Sequence, residues 1–272
     1  MIVSLSKKIP NINSGVFKQY NDYHFCNEYR NILRYANMMK YTLPSVDQQI
    51  KQNFLIETLI YYKVWENIDV FYTMANNGGS NFALINWKSP SLYNLTLVSS
   101  PTFTSNRGFK GNGTSSYVNT NWNPATNAIK YKLDSASRGA WVITEGTLGG
   151  GSGNRNIDGN VSTATNTLRN ISTVNHRINQ GTANISATVS LAGTGYMAIN
   201  RSSSTNIEIY NGTLQTAVTA TSTSITSDTQ TLFNSNGVFS NVELSFYYCG
   251  GNIDKNGHYY INSAFSKYIN SL

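Results

Sequence analysis

The spacing of apolar side chains first predicts a helix that begins after Ser45. Ser45 is a favoured N-cap residue, Gln48 stands three positions later as in a capping box, and Pro44 ends any earlier helix. Apolar residues then recur every three or four positions, which predicts a helix over residues 46–66 with one wide face to be buried. These apolar residues are Ile50, Phe54, Leu55, Ile56, Leu59, Ile60, Val64 and Trp65.

Two other segments are expected to be helical. Residues 28–40 fit one short helix inside an N-terminal stretch that is rich in Tyr and Asn. Residues 253–272 place apolar and aromatic side chains, including Tyr259, Ala264 and Phe265, on one side of a helix.

From Ile68 onward the apolar spacing changes to two residues, the repeat of a β-strand. Ile68, Val70, Tyr72 and Met74 alternate with the residues between them. Further short apolar runs follow, separated by clusters of Gly, Asn, Pro and Ser, and this rhythm is typical of an all-β sandwich. The runs cover residues 93–98, 117–120, 140–144, 196–200, 206–210 and 242–248.

These short apolar runs predict one β-hairpin and the fold class of the protein. Asn211-Gly212 is a favoured pair for a type I′ turn, so residues 214–219 are expected to return as an antiparallel strand. We predict a mainly β protein, an antiparallel two-sheet jelly-roll sandwich over about residues 68–250, with an N-terminal helical segment and a short C-terminal helix. The predicted division is an arm over residues 1–45 and a helix-plus-sandwich domain over residues 46–272.

Composition limits the classes of partner. The chain has 272 residues, only 12% of which are charged, about half the usual share for a globular domain. Its net charge of +7 raises the question of nucleic acid, but the longest basic run is the pair Lys7-Lys8. An acidic protein surface is therefore the preferred partner, and nucleic acid is not predicted. No apolar run reaches the ~20 residues of a membrane span, and none is predicted.

Few residues offer catalytic or metal-binding chemistry. The three histidines have no acidic or cysteine neighbour at ligand or triad spacing, and they are interpreted as surface or capping residues. The acids of the predicted sandwich are isolated, so the two carboxylates of a glycoside hydrolase are not expected. Cys26 and Cys249 are interpreted as packed thiols, with a disulfide left open. The protein is thus expected to be non-enzymatic, with no cofactor and no metal.

Four tryptophans are candidates for the aromatic platform that a sugar ring needs. Trp65 and Trp141 lie in apolar runs and are expected in the core, whereas Trp122 follows a polar run and is the best candidate for exposure. Tyr117, Asn119 and Asn121 would complete a ligand site around it. Packing or a subunit contact is nevertheless the preferred interpretation of Trp122.

Several segments together resemble a known domain type. They are NFALINWKSP (residues 81–90), SSPTFT (99–104), GFKGNGTSSYVNT (108–120) and the upstream VWENIDVFY (64–72). The chain over about residues 46–272 resembles the concanavalin A-like (laminin G-like) jelly-roll domains of tailed-bacteriophage virion proteins. The calcium-ligand acids of the sugar-binding relatives have no counterparts in this sequence, which weakens a lectin interpretation.

The resemblance implies a virion protein that is made in the host bacterial cytoplasm. Head fibre and capsid or tail decoration are the implied structural roles, and a carbohydrate-binding, host-adhesion module is the alternative. Expected partners are capsid, portal or fibre subunits and further copies in a dimer or trimer, with a host surface glycan for the alternative.

The N-terminal 44 residues, together with the helix that follows them, are the expected attachment element, because tyrosines provide large contact areas with a polar tip. The candidate attachment or oligomer-interface residues are Tyr20, Tyr23, Tyr29, Arg30, Arg34 and Tyr35. Up to residue 63 the chain carries eight Lys and Arg against four Asp and Glu, which favours an acidic partner surface.

Overall fold

The structure is a computed structural model that describes residues 24–146, 155–160, 168–169, 176–180, 191 and 193–272. The helices are α1 (Asn27–Met38), α2 (Val46–Tyr61), α3 (Ser80–Ala83), α4 (Pro124–Asn127) and α5 (Lys255–Ile269), with a short 3-10 turn at Trp65–Asn67. The strands are β1 (Ile68–Thr73), β2 (Thr96–Val98), β3 (Thr102–Thr104), β4 (Gly108–Lys110), β5 (Tyr117–Asn119), β6 (Ala136–Thr144), β7 (Asn156–Asn160), β8 (Leu168–Arg169), β9 (Gly195–Arg201), β10 (Asn206–Asn211), β11 (Leu214–Thr219), β12 (Gln230–Leu232), β13 (Asn234–Ser235), β14 (Val238–Phe239) and β15 (Glu243–Gly250).

The strands form two main antiparallel sheets. The larger has eight strands in the order β11-β10-β9-β6-β15-β4-β3, with β1 also paired to β15. The smaller has five strands in the order β2-β5-β12-β7-β8. The predicted antiparallel two-sheet sandwich, preceded by helices and followed by one, is confirmed.

The larger sheet lies between two hydrophobic cores. One core joins the two sheets and contains Phe109 and Ile199 of the larger sheet with Val118 and Leu232 of the smaller one. The other joins the outer face of the larger sheet to α1, α2 and α5. The molecule is therefore built in three layers, helices on sheet on sheet.

Successive side chains of the central strand β15 point alternately into the two cores. Tyr247 and Cys249 belong to the core between the sheets, whereas Phe246 and Tyr248 belong to the core under the helices. Both faces of β1 are buried for the same reason. The two-residue repeat of apolar side chains in β1 therefore distinguishes one buried face from another buried face, not a buried face from a solvent-exposed one.

The predicted N-cap of α2 is confirmed, but the capping box is only half formed. The backbone N–H of Gln48 donates to the side-chain oxygen of Ser45 at 3.4 Å. The Gln48 side chain does not return to Ser45. Its oxygen accepts from the backbone N–H of Asn77 at 2.6 Å, and its amide donates to Asn106 at 3.1 Å, which fixes the start of α2 to two loops of the sandwich.

The predicted hairpin forms with its turn shifted by one residue. Asn211 pairs with Leu214, so the two loop residues are Gly212 and Thr213. Gly212 has a φ of +60°, whereas Asn211 is not among the residues with positive φ. Gly at the first loop position is the pattern of a type II′ turn, which needs a positive φ at that position only.

The helix α1 is part of the packed molecule, which differs from the expectation for an arm. Tyr29, Ile32, Leu33 and Ala36 are buried in the core under the helices, together with residues of α2 and α5. Residues 27–38 are thus ordered by this chain itself and do not need a partner for that purpose. Packing continues across residue 45 without a division.

The two cysteines do not pair. Cys249 lies in the core between the sheets, and Cys26 packs against the core under the helices, on the other side of the larger sheet. Burial raises the pKa of Cys26 to about 11 and raises that of Cys249 further. Both therefore remain thiols at neutral pH, as the packed-thiol interpretation expected.

Candidate docking surface

Trp122 is buried, which agrees with the preferred packing interpretation and rules out Trp122 as an exposed platform. Its side chain is 1% exposed and packs edge-on against Tyr131, with the ring centroids 5.7 Å apart. The backbone explains this orientation, because Gln230 donates to the Trp122 carbonyl at 3.0 Å and accepts from Thr120 at 3.1 Å. These bonds extend the β5–β12 pairing past its end and direct the indole inward.

The other residues of the expected ligand site do not form an aromatic platform. Tyr117 is half-buried, 6.2 Å from the ring of Phe239. The Asn119 side chain accepts from the backbone N–H of Asn121 at 2.8 Å. Asn121 is exposed and donates to the carbonyl of Asn94 at 2.6 Å. These asparagines hold neighbouring loops together.

The candidate attachment residues divide into three groups. Tyr20 and Tyr23 lie outside the described residues. Tyr29 is fully buried, and its hydroxyl donates to Gln52 at 2.6 Å. Tyr35 is half-buried, and its hydroxyl accepts from Asn94 at 2.9 Å. Of the four candidates that the structure describes, only Arg30 and Arg34, one helical turn apart on α1, are exposed.

The helix α2 carries apolar side chains on two opposite sides. Its buried side consists of Gln48, Gln49, Gln52, Asn53, Leu55, Ile56 and Leu59. Ile50, Phe54 and Tyr61, spaced by four and then seven residues, lie on the other side and are 38%, 48% and 78% exposed. Ile60 is 36% exposed. The expectation that Ile50, Phe54 and Ile60 share the buried face is therefore wrong, since polar side chains occupy part of that face.

The exposed side of α2 borders a groove that it shares with α5. The two helices run antiparallel, because Lys51 near the start of α2 donates to the carbonyl of Ser271 and Tyr62 after its end stacks on Tyr260. A cavity of about 520 Å³ lies at one end of the groove and one of about 290 Å³ at the other, and both are lined by Phe54, Ala264 and Lys267. We call this surface the helical groove. It is defined by Ile50, Phe54, Tyr61, Tyr62, Tyr259 and Lys267.

Aromatic rings dominate one end of the helical groove. Tyr62 and Tyr260 are stacked with centroids 3.6 Å apart, and Tyr61 stands edge-on to Tyr62 at 4.9 Å. Tyr259 is 55% exposed and lies edge-on to Tyr260. Tyrosine is enriched at protein interfaces, where it combines apolar area with a polar tip.

Lys267 is the positive charge that the helical groove offers to a partner. The Lys267 ammonium lies 4.3 Å from the ring centroid of Phe54, and among the described residues it forms no ion pair. Lys51 is paired with Asp47 at 2.6 Å. Glu57 is the acidic residue of the lining. An incoming carboxylate could pair with Lys267 without displacing an existing partner.

Acidic side chains elsewhere in the sandwich serve structural contacts. Arg138 pairs with Asp158 at 2.5 Å, and both side chains are fully buried. Arg107 holds Glu243 through two contacts of 2.9 and 2.5 Å. Although burial acts in the opposite direction, hydrogen bonds from Arg107 and Thr144 keep the pKa of Glu243 below its ordinary value.

Asp69 and the histidines complete this picture. Asp69 accepts from three consecutive backbone N–H groups, at residues 129–131. His176 and His258 are buried, so the surface or capping interpretation is wrong for these two. Within the described ranges, no group of three or more His, Cys, Asp or Glu side chains is placed to hold a metal ion. No helix in this part of the chain has the length and apolar character needed to cross a bilayer.

Comparison with known proteins gives fold-level similarities only. No protein-family model matches the chain, and no curated protein matches it. Among solved structures, the binding domain of botulinum neurotoxin serotype D is 10% identical, with a TM-score of 0.49 over 73% of this chain and 52% of that one. The chain thus spans about half the length of that toxin domain.

Two carbohydrate-related structures show comparable similarity. The sialidase of Trypanosoma rangeli in complex with sialic acid is 10% identical, with a TM-score of 0.46 over 75% of this chain and 34% of that one. Domain 4 of the extracellular arabinanase of Geobacillus stearothermophilus, in complex with arabinotriose, is 7% identical, with a TM-score of 0.37 over 72% of this chain and 98% of that one. At these identities and TM-scores, the similarities assign neither family nor function.

Proposed function

We propose that this protein is a non-enzymatic structural subunit of a tailed-bacteriophage virion, a head fibre or a capsid or tail decoration, that attaches to another virion protein through the helical groove. The resemblance of residues 46–272 to virion jelly-roll domains supports the setting. The exposed apolar side of α2 is the observation that supports the attachment, because Ile50, Phe54 and Tyr61 form an apolar stripe that the described residues leave uncovered.

The proposed occupant of the helical groove is an amphipathic helix with an acidic residue on its apolar side. Two antiparallel helices of 16 and 15 residues form a trough about 22 Å long, which suits a third helix of similar length. The unpaired Lys267 would receive the acidic side chain, and the net charge of +7 would favour approach to an acidic protein surface. Arg30 and Arg34 would extend this attraction along α1.

The absence of catalysis is part of the proposal. Asp69, Asp158 and Glu243 are engaged in backbone or arginine contacts that hold strands and turns in place. Carboxylates committed in this way are poorly suited to exchange protons with a substrate. An assay on bacterial surface polysaccharide in which the protein releases reducing ends would overturn this part.

The attachment can be tested by substituting Phe54 with Asp in the phage genome. Phe54 is 48% exposed at the middle of the helical groove, so a carboxylate there removes apolar contact and repels an acidic partner while the core is left intact. We expect particles to lose most copies of the protein, as counted by quantitative mass spectrometry. Ile129→Asp, at a 76% exposed site outside the groove lining, is the matched control and should retain them. Equal incorporation of both variants would refute the groove as the attachment site.

The alternative function, carbohydrate-binding host adhesion, has one observation in its favour. Tyr61 and Tyr259 expose aromatic faces beside Thr58, Ser263 and Glu57, a combination that can stack on a sugar ring and bond its hydroxyls. A glycan array with wild type and Tyr61→Ala distinguishes the two functions. Binding that this substitution abolishes would favour adhesion, and an array without signal would favour the structural role. Trp122→Ala is unsuitable here because it would test the core.

A further inference from the structure

The strand β11 is an exposed edge of the larger sheet. It is the last strand in the sheet order, and nothing among the described residues pairs with its outer side. Five of its six residues are exposed and Val218 is half-buried. Of the other strands that are paired on one side only, β3, β2 and β8 span two or three residues each, and β1, which pairs with β15 alone, is buried along most of its length. Its length together with its exposure makes β11 the strongest template for a further strand.

The register of β11 shows which backbone groups point outward. The N–H of Ala220 donates to the carbonyl of Thr205 at 2.8 Å, which makes these two a hydrogen-bonded pair. Because hydrogen-bonded and non-bonded pairs alternate along an antiparallel ladder, Leu214, Thr216 and Val218 bond to β10. The N–H and C=O groups of the residues between them, 215, 217 and 219, are therefore directed away from the sheet.

The sequence of β11 lacks the devices that normally protect an edge. Proteins block such strands with lysine, proline, inward charges or bulges. Residues 214–219 read LQTAVT, without charge or proline, and the β10–β11 register is regular throughout. The uncharged stretch continues to residue 227. The remainder of a chain of net charge +7 would repel a second copy, but this edge would not.

We propose that β11 pairs with β11 of a second copy, antiparallel about a two-fold axis at Ala217, so that the larger sheets of two molecules become continuous. Ala217 would face Ala217 of the other copy, and Gln215 would face Thr219. About six backbone hydrogen bonds would form, two for each outward-directed pair. A strand of six residues buries less area than a standard interface, so we expect a weak dimer that strengthens where copies are held side by side.

The first test is sedimentation of the full chain over a wide concentration range. We expect a reversible monomer–dimer equilibrium that is lost in Ala217→Pro. Proline removes an N–H that makes no bond to the part of the chain that the structure describes, so the circular dichroism spectrum should be retained. If this variant fails to fold, Gln215→Lys with Thr219→Lys places like charges across the axis and should also give monomers. A chain that stays monomeric throughout, a trimer, or a dimer unaffected by these variants would overturn the proposal.

Disulfide trapping tests the register, in a Cys26→Ser background that leaves the buried Cys249 as the remaining native thiol. Ala217→Cys should cross-link to itself on mild oxidation. Gln215→Cys should not, but a mixture of Gln215→Cys and Thr219→Cys should give mixed dimers. Ile129→Cys, exposed and remote from β11 in sequence, sets the rate of random collision. Cross-linking of Ala217→Cys no faster than this control would also overturn the proposal. Neither test involves the helical groove, so failure here leaves the attachment proposal standing.

Discussion

At the scale of single residues, buried polar side chains carry much of the specificity of this fold. Asp158 receives Arg138 at 2.5 Å, the hydroxyl of Tyr247 at 2.7 Å and the backbone N–H of Leu168 at 2.8 Å. One carboxylate thereby joins strands of both sheets across the core. Removing one partner of such a pair is costly because the other charge stays buried without compensation.

We predict that Asp158→Asn lowers the free energy of unfolding by about 3–5 kcal/mol. Asparagine removes the charge that Arg138 faces, and its single oxygen replaces the two that accept separately from Tyr247 and from the Leu168 N–H, so the loss includes the ion pair and one hydrogen bond. Urea denaturation provides the measurement. Glu145→Gln is the control, because the Glu145–Arg155 pair is partly exposed and should contribute about 1 kcal/mol or less. Similar losses for the two variants would contradict the prediction.

His258 adds a dependence on pH. Its Nδ1 lies 2.7 Å from the hydroxyl of Tyr196, its ring stacks on Tyr210 at 3.8 Å, and burial lowers its pKa to about 3. The ordinary value is about 6.5, so on acidification the unfolded chain takes up this proton first. The stabilisation is complete above about pH 6.5 and is lost progressively as the pH falls toward 3.

We predict that this single group removes about 2 kcal/mol of stability between pH 7 and pH 5, at ~1.4 kcal/mol per pH unit below 6.5. Urea midpoints of wild type and His258→Gln across this range provide the test. The wild type should weaken more steeply on acidification than the variant. His24→Gln, at an exposed histidine, should follow the wild type. Parallel slopes for wild type and His258→Gln would exclude His258 as the source.

Trp122 illustrates a choice that the sequence left open at this scale, between an exposed ring and one packed in the core. Its neighbours are Asn, Thr and Pro, so local polarity indicated exposure. The polar groups of this segment form hydrogen bonds with one another and with Gln230. The indole is then the large apolar group of the segment, and it packs into the core. Exposure at the end of a strand depends on backbone pairing with a segment more than a hundred residues away, which no local pattern contains.

At the scale of elements, the sequence predicted that α2 exists and where it begins, but not which side it buries. Ser45 and Pro44 mark the start locally, and the structure agrees. The apolar residues of α2 surround the helix, so periodicity could not choose between two sides. Gln48 and Gln52 determine which side of α2 is buried, because their amides donate hydrogen bonds to a loop of the sandwich and to α5.

Gln52 connects three helices to the end of β1. Its oxygen accepts from Tyr29 of α1 at 2.6 Å, its amide donates to Tyr268 of α5 at 2.9 Å, and the Tyr268 hydroxyl donates to the carbonyl of Ala75 at 2.6 Å. All three side chains are buried, so each lost partner leaves a polar atom away from water.

We predict that Gln52→Leu destabilises the protein by about 2–4 kcal/mol, since it leaves the hydroxyl of Tyr29 without its acceptor and removes a donor to Tyr268, at ~1–3 kcal/mol for each buried unsatisfied group. Thermal and urea unfolding provide the measurement. Glu57→Gln, an exposed change on the same helix, should stay within about 0.5 kcal/mol of wild type. If leucine at position 52 were neutral, the hydrogen-bond chain would not contribute to holding the helical layer.

At the scale of the whole molecule, the two cores depend on one sheet. Alternate residues of β15 contribute to each core, and β1, β9 and β10 do the same. A helical layer that shared no strands with the core between the sheets could unfold before that core. Here the aromatic residues under α5, including Phe246 and Tyr248, extend from the same backbone that carries Tyr247 and Cys249 into the other core.

We predict that both cores unfold in one transition, and the chain contains separate reporters for them. Trp65, Trp87 and Trp141 belong to or pack against the core under the helices, so the fluorescence of a Trp122→Phe variant reports that core alone. Cys249 is fully buried between the sheets, so its reaction with a thiol reagent, in a Cys26→Ser background, reports the other. Because the shared strands cannot lose one side and keep the other, the urea midpoints of the two signals should coincide. Tryptophan emission that shifts at a urea concentration where Cys249 is still protected would show that the helical layer separates from the sandwich. The helical groove would then be a feature of a detachable layer, and its integrity could not be inferred from that of the sheets.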